Sequence, residues 1–383
     1  VELAYDYDPA TENKNGRTIA GFSKGDTLRM KMRIKSDSCK GCPYDDFMYF
    51  YDYYGTDDYA HMWNVAAFDG AKTVFDNGNA DFSQYDYAGR EQVIKKGTAY
   101  LNVFMYVIRE FEDALDDCEK ECTNCNDGSV HAWDEGVCFY TGSIEGEDAA
   151  TEDGKLLHQL ADKRCKDYRT CGSEGNDVSG TAKLNYDISS LFAVGNFQVR
   201  SGNCPAARET TKEIVTKMYV PMIQGAMRYA YKVDELQGGE KERAEGAVFA
   251  AAVLPRVHAA SPKAAEIIYE NLRVGALETD FRAVKEAFES VYDKIGVTCG
   301  DVGGLWNDAM HKYYDGMEPC VSTLSTAVET KNNNTLAIAL GCTFGALFVM
   351  AAAMVLYMRS REKQGDPVFQ TSTAQETGAK DMN

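Results

Sequence analysis

The chain has 383 residues, a formal net charge of −19 and a hydrophobic fraction of 44%. That apolar share can fill a sizeable core, in one large domain or two of average size. The charge argues against nucleic acid, which needs Lys and Arg in excess, and against adhesion to an anionic lipid surface. An acidic protein instead suits cations, or is simply kept soluble by its charge.

Residues 1–45 are rich in Gly, Asp and Lys without periodicity and read as an irregular arm, which ends at the Cys39-Lys40-Gly41-Cys42 turn. Helical patterns then dominate. The spacing predicts helices over 45–54, 56–70, 89–117, 129–145, 154–168, 206–236, 240–259, 261–275 and 278–295. β-Branched runs bounded by turns are scarce, so the expected ectodomain, 46–330, is mainly α. Cys118, Cys122 and Cys125 crowd a polar linker, and Cys165, Cys171, Cys204, Cys299 and Cys320 sit in turn-like surroundings. Two CxxC pairs raise zinc as an alternative, but they lie far apart in sequence; disulfides made in the secretory pathway are expected. The cysteines before residue 330 are odd in number, and Cys138, inside a helix, is the expected free thiol.

Residues 335–358 carry no charge and match a hydrocarbon core of about 30 Å at about 1.5 Å per residue. Arg359, Arg361 and Lys363 follow as a positive-inside flank. A transmembrane helix is therefore expected, with residues 1–334 outside the plasma membrane and 359–383 in the cytosol. Polar residues after the span argue against a GPI signal, and a cleaved leader is expected because the chain does not begin with Met. Gly341 and Gly345 form a GxxxG that suits a homodimer. Asn333 opens a formal glycosylation sequon beside the membrane. In the tail, Asp366-Pro367-Val368-Phe369 resembles short turns read by clathrin adaptors, with Pro367 favouring a turn that presents Phe369; a chance match is the alternative.

An internal echo runs through the ectodomain. Gly89-Arg90-Glu91 and Ala207-Arg208-Glu209 open long helices, with Tyr100 and Tyr219 at matching places. Each is followed by Glu-Gly-x-x-Phe, at Glu135–Phe139 and Glu245–Phe249. The pattern reads as a degenerate duplication, two helical bundles about a pseudo-twofold axis whose inward side chains build a site. In the first repeat Trp133, Val137, Tyr140 and Ile144 form an apolar stripe, opposite His131, Asp134, Glu135 and Cys138. That opposite side reads either as a solvated face or as part of a site. The second repeat runs into Gly246–Leu254, which is apolar all round and hence expected to be buried. Glu245 opens this run, as a first-turn Glu helped by the helix dipole or as a ligand. His131 and Glu135, one turn apart, both reach one ion. Carboxylate, phenolate and imidazole suit a hard metal such as iron, and the expected ligands are Glu135, Glu245, His131, Asp134, Tyr100 and Tyr219. HExxH, G-x-S-x-G, a Gly-rich phosphate loop and an EF-hand loop are all absent from the sequence.

The stretches HAWDEGVCFYTGS at 131–143, DYYGTDDYA at 52–60 and LPRVHAASPKAAE at 254–266 resemble the algal iron-assimilation domain family, in its membrane-anchored, diatom-type phytotransferrin form. The resemblance spans roughly 40–300. It implies a cell-surface receptor that captures Fe(III) with carbonate as synergistic anion and carries it into endosomes. The carbonate would then lie against Arg256 or Arg208. Acid would release the metal, because its ligands bind as deprotonated species. A weaker likeness in helical bundle connects the chain to imelysin-type proteins. No turnover is required, so a receptor is expected and not an enzyme. Two other classes stand beside this reading. A membrane-tethered metal-dependent hydrolase would need an open coordination site with a water and a base. A structural adhesion protein would bind no stoichiometric metal.

Overall fold

The computed structural model describes residues 45–122, 128–142 and 156–321. These residues fall within one compact unit, Val1–Val321. The N-terminal arm, the expected span at 335–358 and the tail motif lie outside the described residues, as do Cys39, Cys42 and Cys125.

Helices α1 (Asp45–Tyr54) and α2 (Tyr59–Asp69) are joined through Gly55, whose φ of 76° belongs to the left-handed region that glycine tolerates. Helix α3 (Tyr87–Gly97) continues through a π-helical segment, Thr98–Val103, into α4 (Phe104–Glu119). Then come α5 (Ser129–Thr141), α6 (Leu157–Tyr168), α7 (Lys183–Arg200), α8 (Cys204–Met218), α9 (Val220–Asp234) and α10 (Glu240–Ala260). Helices α11 (Pro262–Leu272), α12 (Phe281–Glu289), α13 (Tyr292–Ile295) and α14 (Cys299–Val302) follow. A short antiparallel hairpin, β1 (Trp306–Asn307) with β2 (Lys312–Tyr313), closes the described chain. The mainly α expectation holds.

Helix α10 is the central element, packed against α1, α3, α9 and α11. Its residues from Ala244 to Pro255 are all buried, as the unbroken apolar run requires. Pro255 has no N–H, so the carbonyl one turn earlier, on Ala251, loses its helical donor. The buried hydroxyl of Tyr54 replaces it, donating to that carbonyl at 2.8 Å.

The echo has a packing counterpart. Helix α4 packs on α5 and α9 on α10. A methyl group on Gly136 would lie 2.8 Å from the Phe111 ring, and one on Gly246 would lie 3.1 Å from Cβ of Tyr229. Phe111 and Tyr229 stand equally far from the two opening triplets, Gly89-Arg90-Glu91 and Ala207-Arg208-Glu209. The repeated glycine thus admits an aromatic residue of the preceding helix at the same place in each half.

Disulfides join Cys118 to Cys204, Cys165 to Cys171 and Cys299 to Cys320. Cys122 is also disulfide-bonded, and Cys138 is a free, exposed thiol, as expected. Among the described residues no helix is long and apolar enough to cross a membrane.

Two expected helices are divided. The one over 206–236 breaks at Tyr219 before Pro221, and the one over 278–295 breaks between Glu289 and Tyr292. The helix expected over 129–145 stops at Thr141, where Gly142 turns to a φ of 68°. Helix α7 was not anticipated by the sequence pattern, nor was the small hairpin.

Candidate functional site

The expected ligand residues do not share one place. His131 and Glu135 pair along α5, with Nε2 and Oε1 3.4 Å apart and side-chain exposures of 61% and 29%. Asp134, on the same outward side, accepts from Asn196 at 2.9 Å. Of the inward stripe of that helix, Trp133 and Tyr140 are in the core and Val137 is partly buried, while Ile144 lies outside the described residues; Trp133 donates through Nε1 to the Phe192 carbonyl at 3.1 Å. Tyr219 is buried and donates to Asp46 at 3.4 Å, and burial, then Asp46, pushes its phenol well above the ordinary range. Arg256 lies over the Tyr219 ring, pairs with Asp46 at 3.1 Å, and donates to Thr216 Oγ1 at 2.9 Å and the Ile295 carbonyl at 3.0 Å. Its donors thus stitch four elements together. Arg208 pairs with Glu119 and, at 3.7 Å, with Glu112. No described contact joins Glu135 to Glu245.

Two of the expected residues do come together. Tyr100 sits in the π-helical segment of the α3–α4 rod, a backbone irregularity that often marks functional places. Its ring stacks on Phe249 at 5.2 Å, and Phe249 lies one helical turn after Glu245 on α10. Glu245 is only 4% exposed. Among the described residues its carboxylate makes no hydrogen bond and no ion pair, although charged groups stand near it.

Those groups are Lys96 from α3, Arg164 from α6 and Arg228 from α9. Arg164 is buried in the last turns of α6, with Nη2 3.1 Å from Asp167 and its Nε without a hydrogen-bond partner. Arg228 reaches the same Asp167 at 2.9 Å. Lys96 stands 6.0 Å from the centre of the Tyr100 ring. In a chain of net charge −19 this is a local excess of cations around one carboxylate.

The electrostatics follow from burial. Desolvation pushes the Glu245 carboxyl up, against the pull of Lys96, Arg164 and Arg228. Burial raises the Tyr100 phenol to about 12, with Arg164 drawing it down and Glu245 pushing it further up. Burial lowers Lys96 and Arg164, while Glu245 and Asp167 respectively support their charges. A near-buried carboxylate without a donor, beside a phenol and a guanidinium with an idle N–H, is a polar constellation that a guest would complete.

Chemically, Glu245 and Tyr100 offer two hard oxygens, and Arg164 with Lys96 offers donors for an anion. Among the described residues no three His, Cys, Asp or Glu side chains are gathered to hold a metal by themselves. A metal here would therefore need the phenol and an exogenous oxygen ligand. The sequence reading missed Arg164, Lys96 and Arg228. For Arg164 a signal existed: Leu157, Leu160, Ala161, Arg164 and Tyr168 share one face of α6, so the arginine lies on the inward stripe. Compared with known proteins, the chain matches no family model, no curated protein and no solved structure.

Proposed function

We propose that the chain captures Fe(III) together with carbonate at the Tyr100–Glu245–Arg164 cluster, as a cell-surface receptor of the algal iron-assimilation type. The observation that supports this reading is Glu245, a 4% exposed carboxylate with neither hydrogen bond nor ion pair among the described residues, near a buried phenol and a buried guanidinium. Lys96, Arg164 and Arg228 outnumber the nearby Glu245 and Asp167, so a bare trivalent cation is disfavoured and its complex with an oxyanion is not. Glu245 and Tyr100 would ligate the metal, and Arg164 would hold the carbonate. Tyr100 loses its proton on ligation and Glu245 must be ionised, so proton competition weakens the complex in acid. The expected span at 335–358 and the Asp366-Pro367-Val368-Phe369 turn complete the proposal, as anchor and endocytic signal.

Phenolate ligation gives the test. On loading with chelated Fe(III) and bicarbonate, the full-length chain develops a visible charge-transfer band. Tyr100→Phe loses it while Tyr219→Phe keeps it. A band unchanged in Tyr100→Phe overturns the assignment of the site.

A further inference from the structure

A second place in the molecule has the chemistry of a binding site and shares no residue with the proposed iron ligands. Helix α1, the 71–81 loop and helices α10 and α11 line an open cleft of about 410 Å³. Tyr53, Asp76, His258, Glu266, Tyr269 and Glu270 line it. That volume suits a small organic molecule and is far too wide for a naked ion.

The lining divides into groups already engaged and groups left open. Asn79 is folded onto its own loop, accepting from the Phe75 N–H at 2.7 Å and donating to the Phe75 carbonyl at 2.8 Å. Tyr269 donates to the Asn79 carbonyl at 2.7 Å, and Glu270 pairs with Arg273 at 3.1 Å. Asp76 and Glu266 make no ion pair among the described residues, although both are exposed. Tyr53 is the deepest group, 4% exposed, with its ring edge-on to His258 at 5.2 Å. Its hydroxyl has no hydrogen-bond partner among the described residues. Burial and the neighbouring Tyr269 hold that phenol protonated.

The cleft thus has carboxylates on two elements, aromatic walls and the hydroxyl of a buried tyrosine that bonds no protein group among the described residues. Among the described residues no three His, Cys, Asp or Glu side chains gather to hold a metal, and the carboxylates here come from two elements, Asp76 from the loop and Glu266 from α11. A cation whose charges are themselves separated by an apolar chain meets all three features. Each ammonium takes a carboxylate, the methylene chain lies along the tyrosine and histidine faces, and the inner ammonium donates to Tyr53.

We propose that this cleft binds an aliphatic diamine or polyamine, with Asp76 and Glu266 taking the ammonium groups and Tyr53 accepting from the innermost one. The test is calorimetric titration of the full-length chain with 1,4-diaminobutane, with n-butylamine and Mg²⁺ as controls. One saturable site per chain is expected, with the diamine roughly tenfold or more tighter than the monoamine, because the second charge-assisted hydrogen bond is lost in the latter. The Asp76→Asn, Glu266→Gln double variant brings the diamine down to the level of the monoamine. Tyr53→Phe, which removes no hydrogen bond from the fold, weakens it about tenfold. Absence of saturable heat overturns the proposal. So does binding that Mg²⁺ matches and the variants leave unchanged, which would be charge attraction alone. The cleft shares no residue with the Tyr100–Glu245–Arg164 cluster, so failure of either proposal leaves the other standing.

Discussion

Glu245 is buried on α10 with cations around it and, among the described residues, no donor bonded to it. Its folded carboxyl titrates above the value of about 4.3 that an unfolded chain shows. The folded state therefore binds the extra proton between those two values, and the stability it lends is full below about pH 4.3 and lost as pH rises through the folded value. Glu245→Gln keeps the shape and removes the titration. The stability advantage of this variant over the native chain, read from urea midpoints, should grow as pH is raised from about 4 towards 7. A difference that stays constant with pH would contradict the burial assigned to this carboxyl. The sequence made Glu245 and Tyr100 legible as candidates through the echo, but it grouped them with His131, Asp134 and Glu135, which the fold turns outward on α5. Which side of a polar-flanked helix is buried depends on its neighbours, and those are set by tertiary packing. Arg164 was easily passed over for the same reason, because beside Lys163, Lys166 and Asp167 it reads as solvated, although its place on the inward stripe of α6 points to the burial that the fold gives it near Arg228 of α9 and Tyr100.

At the scale of elements, the repeated Glu-Gly-x-x-Phe owes its glycine to close approach between helices. Gly136→Ala would press a methyl onto the Phe111 ring at 2.8 Å, and Phe111 is fully buried and cannot retreat. Overpacking costs about 1–3 kcal/mol, offset by about 1 kcal/mol from the better helix propensity of Ala. Gly246→Ala meets Cβ of Tyr229 at 3.1 Å and Leu272 at 3.3 Å, a milder crowding. Urea midpoints should show Gly136→Ala the more destabilised and Gly246→Ala near neutral; the reverse order would contradict the packing account. Most helices were legible because their apolar residues recur with helical spacing, α1 over Asp45–Tyr54 among them. Helix α7 was not. Its inward residues Ile188, Phe192 and Val199 keep the spacing, but Asn185, Ser189, Ser190, Gly195 and Asn196 lower its propensity. Tertiary burial against α8 and α5 overrides that local weakness. The break at Tyr219 follows from Pro221, whose missing N–H suits the first turn of a new helix better than the interior of a long one.

Across the whole molecule, the disulfides tie together segments distant in sequence. Cys118 and Cys204 are 86 residues apart, whereas Cys165 and Cys171 are six apart. Loop-closure entropy gives the longer link about 4.5 kcal/mol and the shorter about 2 kcal/mol. Replacing Cys118 and Cys204 by Ser should therefore lower the melting temperature more than replacing Cys165 and Cys171, as scanning calorimetry would register; equal losses would contradict this ranking. The link also fastens α4 to α8, elements of the two halves of the echo, and α4 leads directly from the π-helical segment that carries Tyr100. The central proposal is that this scaffold holds one ferric ion with an oxyanion at Glu245. The most direct measurement is the count of iron retained per full-length chain after desalting, with and without bicarbonate, for the native protein and for Glu245→Gln. About one iron per native chain is expected, only with bicarbonate, and none in a Glu245→Gln variant that still melts cooperatively. Iron retained by the variant, or bound equally without bicarbonate, would contradict the proposal.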